Sequence, residues 1–255
     1  MTHLTNYPVL VFVLSFLTLW LSALMGAALL RRHRRLEEDL RDDFGVILAA
    51  TLTLLGLIIG FSFSMAINRY DQRKNYEEAE ANAIGTEYVR TDLLPAADAA
   101  KVRALLKTYL DKRIAFYTTR DPHQLAQISA QTARVQSDLW AAVLAPTTAQ
   151  PTPLGALAVA GMNDVLNAQG YTQAAWWNRI PTAAWGLMVA IAICCNLLVG
   201  YGAHGQKAAP FLLLVLPLVV AISFFLIADI DSPHGGIIRV GPQNLLSLSE
   251  SLRAP

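Results

Sequence analysis

Four apolar stretches without a charged residue divide the chain: Val9 to Leu30, Gly45 to Ile67, Ile180 to Tyr201 and Pro210 to Ala228. At a rise of about 1.5 Å per residue, each is long enough to cross a hydrocarbon core of about 30 Å. Four such runs in 255 residues, of which 54% are hydrophobic, predict an integral membrane protein rather than a soluble domain with buried helices. The first run exceeds a signal-peptide core, and Met1 to Pro8 carries no Lys or Arg, so this run is expected to stay in the chain as an anchor.

Between the second and third runs the pattern changes from continuously apolar to charged and periodic. Arg69, Arg73, Lys74, Glu77, Glu78, Glu80, Glu87 and Arg90 are interleaved in sign, which predicts a solvated helix face with pairs such as Arg73 with Glu77 and Lys74 with Glu78. No proline interrupts Gly60 to Thr91, so the second span and this charged helix are expected to form one rod, broken at Leu94-Pro95. Val102, Leu105, Leu106, Tyr109 and Leu110 then mark a helix running to about Thr118. Asp121-Pro122 opens another, with Leu125, Ile128, Val135, Leu139 and Val143 on its apolar face. After an expected loop from Pro146 to Pro153, a further helix carries Leu157, Met162, Val165 and Leu166 towards Trp176-Trp177, an aromatic pair where the membrane interface is expected to begin. No strand pattern is present. The predicted fold is all-α, with four transmembrane helices and a helical extramembrane layer inserted between the second and third spans. It divides into 1–67, the first helix pair; 68–179, the layer; 180–229, the second pair; and 230–255, a C-terminal tail.

The second span holds the candidate functional residues. Thr51, Thr53, Gly56, Gly60, Ser62, Ser64 and Asn68 are too small or too polar for a purely lipid-facing helix, and favour contact with other helices or with water.

Catalytic chemistry has no anchor in the sequence. His3, His33, His123, His204 and His234 are scattered without metal-ligand spacing, and Cys194-Cys195 sit side by side inside the third run as small hydrophobes. There is no phosphate-cradling glycine loop and no nucleophile elbow. Neither an enzyme nor a cofactor, metal or nucleic-acid binder is expected.

Gly60-Phe61, followed by Arg69-Tyr70, Gln72-Arg73-Lys74 and Ala81-Asn82-Ala83, resembles the second span of bestrophin channels. Glu80 to Thr86, Asn178-Arg179-Ile180-Pro181 leading to Trp185, and Ile230-Asp231-Ser232-Pro233 to Gly236-Ile237-Ile238-Arg239-Val240 are similar to the bestrophin-like family of bacterial membrane proteins, across nearly the whole chain. The resemblance implies a pentameric ion channel lined by the second span, with its neck at Thr53, Leu57 and Phe61. These residues lie four apart on one helical stripe, and Thr53 departs from the apolar residue expected there. The same stripe also fits packing between helices. Gly56, Gly60, Ser64 and Asn68 would line the pore or pack, and Arg69 and Arg73 would mark its exit. The acidic cluster that binds calcium in animal bestrophins has no equivalent. Asp229 and Asp231 offer fewer than the about six to eight oxygens that calcium prefers, and are expected to terminate the fourth span.

Basic residues flank the spans on both sides and pull the topology in opposite directions. Arg31, Arg32, Arg34, Arg35, Arg41 and Lys207 would be drawn to the cytoplasm, placing the helical layer outside, whereas Arg69, Arg73, Lys74 and Arg179 and the bestrophin resemblance place the layer inside. The balance favours a cytosolic layer. The expected protein is thus a homo-oligomeric channel in the bacterial inner membrane, in contact with lipid and ions. The alternative is a non-conducting scaffold or signalling partner that docks another protein on its helical layer.

Overall fold

The structure is a computed structural model that describes residues 4–32, 38–202 and 211–253. Arg34, Arg35 and Lys207 of the topology argument, with His3, His33 and His204, lie outside these. Eight α-helices account for most of the described residues, among which there is no strand: α1 (Pro8–Arg32), α2 (Glu38–Arg90), α3 (Ala96–Thr118), α4 (Pro122–Ala149), α5 (Pro153–Trp177), α6 (Thr182–Gly202), α7 (Leu212–Asp231) and α8 (Gln243–Ser251). Four helices, α1, α2, α6 and α7, are long and apolar enough to cross a membrane. The chain separates into two units, Met1–Arg69 with Arg179–Arg239, and Tyr70–Asn178 with Val240–Pro255. The helix α2 contributes to both, unbroken from Glu38 to Arg90 as the lack of proline predicts.

In the first unit α1 packs on α6 and α7. The crossing with α6 is close enough to bring backbones into contact: a Cβ added at Gly26 would strike the carbonyl of Leu197, and one at Gly200 the carbonyl of Ala23. The Ser22 hydroxyl donates across the same crossing to the Ile193 carbonyl at 2.8 Å. Close approach between small residues is how helices gain contact in lipid, where burial from water drives nothing. Phe12, Phe16 and Trp20 stack along α1, and Phe225 of α7 meets Phe12 edge-on at 6.3 Å. Gly26 and Gly200 carried no signal in the periodicity.

The second unit is a water-type helical core. Ile84, Val102, Leu106, Tyr109, Leu110, Leu139, Val143, Met162, Val165 and Leu245 are fully buried, each side chain contributing about 1.5–3 kcal/mol. Leu125, Ile128 and Val135 pack on this core from α4, whereas Leu157, expected on the inner face of α5, is exposed. The N-cap at Asp121 falls where the sequence places it, its carboxylate accepting from the His123 N–H at 3.0 Å; the structure adds a second cap at Thr152, which accepts from the Gly155 N–H at 3.0 Å ahead of Pro153.

Three expectations change. The Pro146 to Pro153 loop shrinks to the residues after Ala149, because α4 continues through Pro146. Proline removes one N–H, the one that would serve the Ala142 carbonyl, and the hydroxyls of Thr147 and Thr148 bond back to the carbonyls of Val143 and Leu144 in the same turn. Trp176 lies in the core of this unit, its ring 4.9 Å from that of Phe116, and only Trp177 is exposed. The C-terminal residues from Val240 join the core, with Leu245 buried and α8 started by Glu77, whose carboxylate accepts from the Leu245 N–H at 3.0 Å and from Asn244 at 2.6 Å.

Candidate functional site

The two faces of α2 differ sharply. Leu55, Ser62 and Ala66 are buried, a turn or two apart on one side of the span. Thr53, Gly56, Leu57, Gly60, Phe61, Ser64 and Asn68 are all exposed on the other, Leu57 at 53% and Phe61 at 62%. Only 6% of the apolar window of α2 is buried in the chain, against 28% in α1 and 44% in α7. A Cβ at Gly56 or Gly60 would meet nothing within 4 Å, so neither glycine serves a close approach inside the chain. The hydroxyls of Thr51 and Thr53 donate to the carbonyls of Ile47 and Ala49 at 2.6 and 2.8 Å. Thr53 therefore offers the exposed face its methyl group and oxygen lone pairs but no free donor.

The two arginines expected beside this face part company. Arg69 is half-buried. Arg73 is buried, its guanidinium donating to the carbonyls of Ala175 and Asn178 at 3.3 and 3.4 Å, where α5 ends and its carbonyls lack helical partners. That arrangement is favourable to a cation at a helix C-terminus.

The interleaved charges that follow divide between two faces: Lys74 and Glu78 are exposed, as expected of a solvated face, but the others named next are not. Glu77, Glu80 and Glu87 are buried with Arg73. Glu80 is the hub: it is paired with Arg113 of α3 through Nε and Nη2, and accepts from Thr172 at 3.2 Å and Tyr117 at 3.4 Å. Burial works against the charge of Arg113, yet the charge and hydrogen bond of Glu80, with Tyr109 and Tyr117 adding to them, together outweigh it and move the guanidinium's pKa up. Burial, then the charge of Glu80, also raises the pKa of Tyr109 and Tyr117, keeping both phenols protonated. The Arg113 Cζ stands 4.5 Å from the Phe116 ring centroid. A lone arginine amid Lys112, Ile114 and Ala115 gave no sign of this role in the sequence.

At the end of α7 the two family-like segments meet. The Asp231 carboxylate accepts from the Ile180 N–H at 3.2 and 3.3 Å, and the Asp231 carbonyl accepts from Arg179 at 3.2 and 3.3 Å. Arg179 also pairs with Asn6. Asp229 accepts from the N–H groups of Ile237 and Ile238, both at 2.8 Å. A Cβ at Gly236 would collide with the Asp229 carbonyl, which accounts for the glycine there. Both aspartates thus fasten the turn that ends α7. Among the described residues, no group of three or more His, Cys, Asp or Glu is placed to hold a metal ion.

A family model described as the Bestrophin-like domain matches residues 9–245. The chain is similar in structure to a bacterial bestrophin homologue from Klebsiella pneumoniae, with 14% identity, 96% of this chain and 95% of that one covered, and a TM-score of 0.63. It is also similar to a point variant of that homologue, with 13% identity, 96% of each chain covered and a TM-score of 0.67. A structure described as a variant of a membrane protein shares 13% identity over 94% of this chain and 97% of that one, with a TM-score of 0.66. Identities this low establish likeness of fold alone. No curated protein matches the chain. With the family model spanning both units and the segments joined at Asp231 inside its limits, the chain is a membrane protein that belongs to the Bestrophin-like family.

Proposed function

We propose that the protein is a homo-oligomeric ion channel in the bacterial inner membrane, a multi-pass protein whose copies bring their α2 helices together around a central path. The observation that carries this reading is the near-absence of burial along α2 within one chain, on a face that combines apolar Leu57 and Phe61 with Gly56, Gly60, Ser64 and Asn68. A face turned only to lipid gains nothing from that mixture, whereas neighbouring helices and water use it. Bestrophin channels, which the chain resembles, are pentamers, and five is the number proposed here.

In this reading Thr53, Leu57 and Phe61 form the neck. Leu57 and Phe61 offer water no hydrogen bond and an ion no replacement for its hydration, so an apolar ring there gates by dewetting. Thr53 makes its end of the neck wetter than an apolar residue would, but only as an acceptor, because its donor is already engaged by the Ala49 carbonyl. Ser64, Asn68 and Arg69 lead out of the neck, while Arg73 supports the path from behind by holding the end of α5.

Purified protein in planar bilayers tests this. Phe61→Ala is expected to raise conductance, and Leu139→Ala, in the core of the second unit, to lower stability by about 2–5 kcal/mol without changing conductance. If neither the parent nor Phe61→Ala passes a monovalent ion while both remain folded and oligomeric, the channel reading fails and the scaffold reading replaces it.

A further inference from the structure

Glu87 is the buried acid that the ion-pair core leaves over. It is fully buried on α2, and neither carboxylate oxygen has a hydrogen-bond partner among the described residues. The side chain lies against bare backbone on α5: a Cβ added at Gly161 would overlap Glu87 Oε2, and would also touch the guanidinium and Cδ of Arg90. Arg90 is therefore beside Glu87 without bonding it, and its Nη1 lies 3.8 Å from Asp164 of α5 instead. These two are the charged groups that act on Glu87. On the turn after α2, Asp92 is engaged by Arg103 of α3, which also covers the ring of Tyr88.

We propose that Glu87 is a proton-binding site in the second unit, and that its proton decides which carboxylate Arg90 serves. With the proton on, Glu87 is neutral and Arg90 pairs with Asp164, tying α2 to α5. When the proton leaves to bulk water, an uncompensated charge faces the Gly161 backbone, and Arg90 is the cation within reach. It turns inward and Asp164 is released to solvent, where its side chain is already 66% exposed. Burial pushes the Glu87 carboxyl up to about 8, with Arg90 opposing and Asp164 adding to the rise, so the exchange falls near neutral to mildly alkaline pH. Between the ordinary value of 4.5 and about 8, the folded protein holds a proton that the unfolded chain has given up. Stability therefore declines as pH rises through that window and levels off above it. The site is independent of whether the protein conducts.

Infrared difference spectra of the full-length protein in detergent, recorded across the pH range, test the proposal. The expected result is a protonated-carboxyl carbonyl band at neutral pH that is missing from Glu87→Gln and disappears with a midpoint near 8. In Asp164→Asn, where Arg90 has no competing partner, that midpoint should drop. The melting temperature of the parent should fall relative to Glu87→Gln as the pH is raised through the same window. A parent spectrum without the band at neutral pH, or an unchanged midpoint in Asp164→Asn, overturns the proposal. The second comparison stands even if Glu87→Gln does not fold, because it reads the band of Glu87 itself.

Discussion

Replacing Arg113 with leucine probes the core of the second unit at its most vulnerable point. Glu80 and Arg113 are exposed by 0% and 2%, so removing the arginine leaves a carboxylate with no cation and no water. Its remaining donors are Thr172 at 3.2 Å and Tyr117 at 3.4 Å, both long. Breaking a buried pair by removing one partner costs about 3–5 kcal/mol. Losing the guanidinium over the Phe116 ring, at 4.5 Å, adds about 0.5–1 kcal/mol. For a chain of this size that corresponds to a fall in melting temperature of about 10 °C. Thermal unfolding in detergent, followed by circular dichroism, measures it, and the companion variant Arg113→Leu with Glu80→Met decides the cause. Replacing the whole pair by apolar side chains removes the stranded charge, so the double variant is expected to recover most of the loss. A single substitution costing less than about 1 kcal/mol, or a double variant no more stable than the single one, would refute the reasoning.

The glycines separate contacts within a chain from those between chains. Gly26→Ala and Gly200→Ala place a methyl group on a backbone carbonyl, and each is expected to lower the melting temperature, with overpacking of about 1–3 kcal/mol. A Cβ at Gly56 or Gly60 meets nothing within 4 Å in its own chain, so Gly56→Leu with Gly60→Leu should reduce the oligomer's mass in detergent while leaving the helical content of the chain intact. Asp231→Asn weakens the charge-assisted bond to the Ile180 N–H and the attraction to Arg179. A loss of about 1.5–3 kcal/mol is expected, read as earlier proteolysis around the end of α7, and equal protease resistance in parent and variant would contradict it.

Much of the fold is legible in the sequence because it rests on periodicities that need no partner to be recognised. The charge-free runs mark α1, α2, α6 and α7, and the cap at Asp121 starts α4 where proline follows. What the sequence does not display depends on partners far along the chain. Arg73, Glu77, Glu80 and Glu87 follow at intervals of four, three and seven residues, a helical spacing that serves equally for pairs within a solvated helix and for a charged face buried against α5 and α8. Only the positions of Arg113, Thr172 and Asn244 tell these apart, and each lies tens of residues away. Gly26 and Gly200 went unnoticed for the same reason, since a glycine at a helix crossing is defined by the backbone that approaches it. The exposed stripe of α2 was legible as a stripe, because small and polar residues stand out in an apolar run; its partners are other copies in the proposed assembly.

Thiol accessibility along α2 during conduction shows whether its exposed face lines an ion path. In a background with Cys194→Ser and Cys195→Ala, single cysteines are placed at Thr53, Leu57, Phe61 and Ser64 on the exposed face, and at Leu55, Ser62 and Ala66 on the buried one. A membrane-impermeant methanethiosulfonate is then applied to protein conducting in a planar bilayer. Current should be modified at 53, 57, 61 and 64 and unchanged at 55, 62 and 66, tracing the helical period of the stripe. Modification without that period, or at the buried positions alone, would contradict a path lined by this face of α2.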